Sequence, residues 1–293
     1  MIIVHEPFGQ EHPYDQLPEE RFPRQPLAGD TFRVGIVTRP PGAVSGVRVL
    51  SSVDDVPQPA VRAEHLADWQ PESEIGMGAE LLERVVRIEQ DVWQATLTAP
   101  EHGQTLIYWA VADSDGKPIE TQPFTLRGEA WEPGGGFHVD GDSLTVRRDL
   151  GAGAQAMPGM PAIEEIAWLT DGTKARQVRV TFRCGPDERF FGLGERFNAL
   201  DQRGNIMDIR CYEQYKNQGK RTYIPVPFLL SSAGYGIHVE SSRWMEFDLA
   251  ATDRQRWSVT ADLADDESLS MTWFTDADPL EIIGRFAQST GPV

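Results

Sequence analysis

Between Phe190 and Glu240 the chain is punctuated so that no long helix can run through it. Gly192 and Gly194 flank Leu193 behind two phenylalanines, and Pro225 and Pro227 interrupt the apolar run Ile224–Leu230. Glycine accepts positive φ and close backbone approach, so Phe190–Gly194 reads as a strand leaving the interior through a tight corner. Proline donates nothing to a sheet ladder, which puts the second run at an edge or gives it an irregular start. Ser231–Gly234 is then a turn, and Tyr235–Glu240 (YGIHVE) alternates as a half-buried strand does. Between corner and second run lies Tyr212–Arg221 (YEQYKNQGKR), which mixes tyrosines with amide and basic side chains. Sugars offer hydroxyls to such hydrogen-bonding groups and C–H faces to aromatic rings, so this loop is the candidate ligand contact.

The same period of two recurs on both sides of that run. Residues 1–28 carry Pro7, Pro13, Pro18, Pro23 and Pro26, too closely spaced for a helix, and read as an irregular segment. Thr31–Val37, Val44–Leu50, Val85–Glu89, Val92–Thr98, Gln104–Ala112 and Pro123–Leu126 then read as short strands between turns, with an Asp-Gly hairpin signal in Asp113–Lys117. About seven such strands in roughly 100 residues predict an immunoglobulin-like β-sandwich over 29–128. Trp69, in an acidic loop-like stretch, is a candidate satellite core residue. Trp93, Tyr108 and Trp109 are either a sugar-stacking platform or core packing. Gly128–Gly136 (GEAWEPGGG) reads as a linker, assigned to 129–136. Ser143–Arg147, Gln177–Arg183, Trp244–Leu249, Arg256–Ala261 and Ser268–Phe274 predict a second antiparallel sandwich over 137–275, with a flexible patch at Gly151–Pro161. Leu280, Ile283 and Phe286 recur at helical spacing behind Asp278 and Pro279, which predicts the one helix within 276–293. The fold class is all-β.

The series GLGERFN, the amide-rich loop, YIPVPF and GYGIHV resembles the galactose-mutarotase-like β-sandwich that precedes the catalytic barrel in glycoside hydrolase family 31, the α-glucosidases, α-xylosidases and relatives. The resemblance runs from about Ser143 onward and is strong between Phe190 and Arg243. VWQATLTAP followed by QTLIYWAVAD is similar to accessory sandwiches beside starch- and glucan-active enzymes. Asp276–Ile283 resembles the helix that leads from sandwich to barrel. The resemblance implies that the nucleophile and the acid/base are aspartates of a barrel of about 250 residues, for which the 293 residues leave no room. No catalytic residue is therefore assigned, and the chain alone is expected to be inactive. It also implies that a sandwich loop touches the bound sugar at Tyr215, Lys216, Asn217 and Gln218, with Tyr223 beside them. Several family members carry an aspartate there; this chain has none, the nearest acid being Glu213. An oligosaccharide or glycoside is the expected partner.

A net charge of −18 argues against nucleic acid or an anionic membrane as partner. Apolar runs fall well short of the roughly 20 residues of a membrane span, and the N-terminus lacks the pattern of a secretory signal. Cys184 and Cys211 are too few for a disulfide framework or a zinc cage, which fits a cytoplasmic setting. His5, His12, His65, His102 and His138 show no ligand spacing, so neither metal nor cofactor is expected. Glu195, Arg196 and Asn198 read as residues that fix the corner and cap a turn, and His238 as a packed histidine rather than a base. Two other functions compete: a stand-alone carbohydrate-binding protein, and an aldose mutarotase or epimerase for which His238 and Glu195 are the only available pair. A homo-oligomer of the whole enzyme is left open.

Overall fold

A computed structural model describes residues 1–9, 16–69, 89–114, 117–151, 158–212 and 218–291. The chain forms two compact units, Met1–Ala130 with Asp171–Thr173, and Trp131–Thr170 with Lys174–Val293.

In the first unit two antiparallel sheets face each other. One holds Thr31–Arg39 paired with Asp91–Thr98, flanked by Glu64–His65 on one side and Ile2–Val4 and Arg21–Phe22 on the other. The other is built on Thr105–Asp113 and Gly46–Val53, with Ile119–Glu120, Phe124–Arg127, Val56–Pro57 and Val61–Arg62 around them. Inward residues alternate as the pleat requires: Phe32, Val34 and Ile36 from one sheet meet Val47, Val49, Leu106 and Tyr108 from the other. The proline-rich start is not wholly irregular, because Ile2–Val4 and Arg21–Phe22 pair with Thr31–Arg39. An edge position tolerates neighbouring prolines, since one row of backbone groups there needs no partner strand. Trp93 is buried with its indole nitrogen donating to Thr38 Oγ1 at 3.0 Å, and Tyr108 is wholly buried. Trp93 and Tyr108 are thus core packing, and Trp109, its neighbour on the opposite face of the strand, reaches partial exposure, so the three do not form one platform. Trp69 is half-buried. Of the strand expected at Val85–Glu89, residues 85–88 lie outside the described residues, as does the centre of the Asp113–Lys117 hairpin and most of Gly151–Pro161.

The second unit is a sandwich of two six-stranded sheets among the described residues. The first runs in the order Ala130–Pro133, Ile163–Thr170, Ala175–Arg183, Arg256–Asp262, Met245–Leu249, Ile206–Asp208. The second runs Gly136–Asp140, Ser143–Arg147, Ser268–Thr275, Tyr235–Val239, Phe228–Ser231, Phe190–Gly192. Val178, Phe182, Phe247 and Trp257 of one sheet interlock with Leu144, Ile237, Met271 and Trp273 of the other. Phe182 stacks on Trp257 at 4.3 Å, and Tyr235 on Trp273 at 5.1 Å. Each such buried ring contributes on the order of 2 kcal/mol through removal of apolar surface from water.

Two segments differ from expectation. Gly128–Gly136 is not a free linker: Ala130–Pro133 is a strand of the first sheet and Gly136 opens a strand of the second. Gly134 and Gly135, at φ 141° and 75°, make the turn that carries the backbone from one sheet edge to the other. Ile163–Thr170 (IEEIAWLT) is a strand that alternation does not predict, because its register breaks between Ile163 and Glu165.

The helix is Pro279–Thr290, the only one among the described residues. Asp278 accepts from the Leu280 amide at 2.9 Å and Pro279 occupies the first turn, as its sequence predicts. Its packed face is set by Ile282 and Phe286, four residues apart, while Leu280 and Ile283 are exposed. Phe286 stacks on Phe228 at 4.0 Å, and Gly236 lets Ile282 lie against the sheet, since a Cβ there would sit 2.7 Å from Ile282 Cγ2.

Candidate functional site

The corner after Phe190–Gly192 takes three consecutive positive φ values, 96° at Gly192, 63° at Leu193 and 89° at Gly194. Leu193 is the one residue of the three with a side chain, and its complete burial in the core offsets the cost of its left-handed backbone. The corner runs against Ile224–Phe228: the Leu193 amide donates to Phe228 O at 2.9 Å, and the Glu195 amide to Ile224 O at 3.1 Å. Pro225 and Pro227 fit this arrangement, for the segment serves the corner as acceptor and two of its residues have no N–H left to satisfy. The irregular start expected of the proline-bearing run is thus part of a one-sided pairing.

Arg196 locks the corner. Its Nε donates to Leu193 O, and its two terminal nitrogens donate to Lys220 O and Asp208 O, each at 2.8 Å. One planar guanidinium therefore joins three pieces of chain: the corner, the strand Ile206–Asp208 and the downstream end of the amide-rich loop. Asn198 exchanges side-chain hydrogen bonds with Gln202 at 3.0 and 3.2 Å, closing the turn after the corner. The corner-fixing reading of Arg196 and Asn198 holds, and Glu195 is exposed. Replacing Arg196 with alanine is expected to lower stability by about 2 kcal/mol and to speed proteolytic cutting at Lys220–Arg221, measured by urea unfolding and limited trypsin digestion. Lysine at 196 should recover little, since an ammonium cannot address three carbonyls in a plane.

The stem of the amide-rich loop is held by backbone and by buried polar groups. The Tyr212 amide donates to Thr222 O at 2.8 Å, the Arg221 amide to Gln218 O at 2.8 Å, and the Cys211 thiol to Tyr223 O at 3.1 Å. Thr222 is fully buried and Arg221 is 2% exposed, with its guanidinium over the Tyr212 ring at 5.5 Å. Beyond the stem the side chains turn outward: Phe197 is 51% exposed, Tyr223 44% and Ile224 48%. Backbone pairing of Glu195 with Ile224 brings the two segments that carry these side chains together as an apolar and aromatic lip. Tyr223 lies at the lip, and Gln218 is half-buried at the downstream stem of the loop, its carbonyl accepting from the Arg221 amide. Tyr215, Lys216 and Asn217 lie outside the described residues.

Glu188, which no motif pointed to, anchors the approach to the corner. It is buried and accepts from Ser231 Oγ at 2.5 Å, Tyr235 OH at 2.6 Å and the Gly185 amide at 2.8 Å. Burial, then the Glu188 charge, push the Tyr235 hydroxyl far above its usual pKa, so it stays a donor. In sequence Glu188 is one acid among 45 Asp and Glu residues, with nothing to mark it.

Two described carboxyls are raised in pKa. Glu20, in the first unit, is raised chiefly by burial; Glu246 is raised by burial and then by Asp208 and Asp248. His238 lies half-buried against the Phe286 ring at 5.2 Å, and burial holds its pKa below the usual value. It is a packed histidine, which removes the base that a mutarotase reading needs. No group of three or more His, Cys, Asp or Glu side chains able to hold a metal occurs among the described residues. No helix among them is long and apolar enough to cross a membrane. What the lip can do is bind: ring faces, a phenolic hydroxyl and an amide suit a polyhydroxylated ligand.

Comparison with known proteins agrees with this geometry. Residues 74–248 match the family described as "Glycosyl hydrolase 31 N-terminal galactose mutarotase-like domain", and residues 4–69 match "Lmo2446-like, N-terminal". Over 305 residues the chain is 27% identical to 1,3-alpha-isomaltosidase of Kribbella flavida, covering 99% of this chain and 37% of that protein. Over 129 residues it is 38% identical to isomaltosyltransferase of Sporosarcina globispora, covering 43% of this chain and 12% of that protein. The cycloalternan-degrading enzyme of Trueperella pyogenes, solved in complex with cycloalternan, superposes with a TM-score of 0.77 at 27% identity, over 99% of this chain and 39% of that one. The chain thus spans well under half the length of these relatives. The matched range 74–248 takes in the glycine corner and the proline-bearing acceptor segment and covers more than half of the sequence, so the chain belongs to the glycoside hydrolase family 31 N-terminal galactose mutarotase-like domain family.

Proposed function

We propose that this chain is the non-catalytic N-terminal portion of an α-glycosidase of the α-glucoside or α-xyloside class, and that it supplies a sugar-facing lip to an active site built elsewhere. The observation that carries the proposal is the match over 99% of the chain to a 1,3-alpha-isomaltosidase nearly three times as long. Retaining glycosidase chemistry takes two carboxyl groups about 5 Å apart on either side of the scissile bond. The lip contributes Glu195 alone among its described residues, so its part is to bind and orient. In this role Tyr223 lays its ring against a sugar face, and Gln218 with Tyr215, Lys216 and Asn217 meets the hydroxyls. An ammonium and amides in place of an acid favour acceptor oxygens of the substrate over its hydroxyl protons. Two free thiols, Cys184 buried and Cys211 exposed, accord with a reducing, cytoplasmic setting.

On aryl α-glucosides and α-xylosides the 293-residue chain is expected to give no turnover. Joined in frame to a family 31 barrel it should give turnover, with Tyr223→Ala raising KM about tenfold, as the loss of one ring-stacking contact would, and moving kcat less. Turnover by the chain alone would refute the division of labour proposed here.

A further inference from the structure

The unpredicted strand Ile163–Thr170 owes its irregularity to Glu164. Ile163 pairs with Phe182 and Glu165 with Thr181, so Glu164 is the extra residue of a bulge. The bulge aims its carboxylate at two guanidinium groups: Oε1 meets Arg183 Nε and Oε2 meets Arg256 Nε, both at 2.6 Å. Beside this triad a cleft of about 480 Å³ opens in the second unit, walled by Gly134, Phe137, Ile163, Ile166 and Arg256 as well as Glu164. That volume falls within the roughly 300–1,000 Å³ of small-molecule sites and admits a di- or trisaccharide.

The walls are shaped around the space. A Cβ on Gly136 would lie 1.7 Å from Gly151 O and one on Gly135 2.8 Å from the Trp168 indole nitrogen, so these glycines let the turn press into the sandwich edge. The turn is tied down by Trp168 Nε1 donating to Gly134 O and by the Gly134 amide donating to Ile166 O, each at 2.9 Å. A Cβ at Gly134 would meet nothing within 4 Å among the described residues. Arg256 engages Glu164 and, at 3.7 Å, Asp253 through Nε, and it lines the cleft with its side chain half-exposed.

The chemistry of the lining selects the ligand. Glu164 and Glu165 line the cleft, so an anion is disfavoured there. Two guanidinium groups repel a cation. A neutral polyol meets both: adjacent hydroxyls donate to the carboxylate and accept from Arg256, while a C–H face packs on Phe137, Ile163 and Ile166. We infer that this cleft is a second saccharide site, separate from the lip, that takes a neutral oligosaccharide of hexopyranose units. It does not depend on the glycosidase reading, since nothing in it concerns bond cleavage.

Titration of the whole chain with isomaltotriose and with maltotriose, followed through backbone amide resonances, tests this. The amides of Gly134, Gly135 and Gly136 are expected to shift and to saturate with a Kd of about 1 mM. Glu164→Gln and Arg256→Met should each weaken binding about tenfold, the loss of one charge-assisted hydrogen bond. The glycine shifts in the unaltered protein remain a readout even if a variant fails to fold. Shifts confined to Phe197, Tyr223 and Ile224, or none with either sugar, would overturn the inference, as would undiminished affinity in a folded Glu164→Gln. Tighter binding of a hexose phosphate than of either trisaccharide would overturn the ligand class.

Discussion

Gly194→Ala is expected to cost the second unit roughly 4 kcal/mol and to dismantle the lip. Two effects add. A left-handed backbone at a residue with a Cβ costs about 1–2 kcal/mol. The new atom would also lie 2.0 Å from Ile224 O and 2.8 Å from the Val226 amide nitrogen, both backbone and unable to step aside singly. Relief of such overpacking by backbone movement costs typically 1–3 kcal/mol. Moving Ile224 breaks the Glu195 amide bond to its carbonyl and carries Tyr223 with it, so unfolding by urea and loss of Tyr223-dependent sugar contact should appear together. Gly46→Ala is the control, since a Cβ there meets nothing within 4 Å and its backbone is not left-handed. A Gly194→Ala protein as stable as the parent would mean that the corner is not built as described.

The second large effect is one of pH and belongs to the first unit. His5 is 4% exposed; its Nδ1–H donates between Glu19 O at 2.8 Å and Gly35 O at 2.7 Å, and its Nε2 accepts from Tyr108 OH at 3.0 Å. Arg21 in turn donates to the Tyr108 oxygen at 3.3 Å. The ring is therefore held as the neutral tautomer with its proton on Nδ1, and protonating Nε2 would force two donors together. Burial first, and the nearby Arg21 charge as well, lower its pKa from the usual 6.5 to about 4. The unfolded chain takes up this proton below about 6.5 whereas the folded chain resists until about 4. Stability from His5 is thus fully present at neutral pH, falls as pH drops through that window, and is exhausted below it. At 1.36 kcal/mol per pH unit the loss is about 3 kcal/mol. Glu20 acts in the opposite sense: burial raises its carboxyl, so its contribution is present below the usual 4.5 and fades as pH rises through the raised value. The clean measurement is the difference between parent and His5→Gln in the pH slope of thermal unfolding from pH 7 to pH 4. The parent should lose more stability on acidification, and equal slopes would refute the assignment.

Much of this fold can be read from the chain wherever one face of a strand is buried and the other is wet. Gln177–Arg183 and Ser268–Trp273 alternate polar and apolar residues, and both lie in central strands whose burial alternates over most of their length. Asp278-Pro279 announces a helix start by chemistry that needs no tertiary context. The reading fails where tertiary structure overrides the local pattern. Ile163–Thr170 hides behind paired glutamates because a bulge shifts its phase. The strand in Gly128–Gly136 is masked by glycines that serve a turn between sheets. Leu280 and Ile283 mark the helix by their spacing, yet Ile282 is the buried residue, since contact with Phe228 and Gly236 decides which way the helix is rolled. Of the site, the corner and its clamp were visible as Gly192, Gly194 and Arg196. Tyr223 takes its place at the lip because Thr222 beside it is drawn inward.

Three hydrogen bonds from the guanidinium of Arg196 go to main-chain oxygens, and this bears on how such a domain diversifies. Every residue type presents the same carbonyl, so the grip is indifferent to which side chains the loop displays. Substitutions along the loop can then change the side chains on display while these bonds to its downstream end stay put. Display and support are thereby kept apart, so a lineage can vary the one by point changes with no renegotiation of the other.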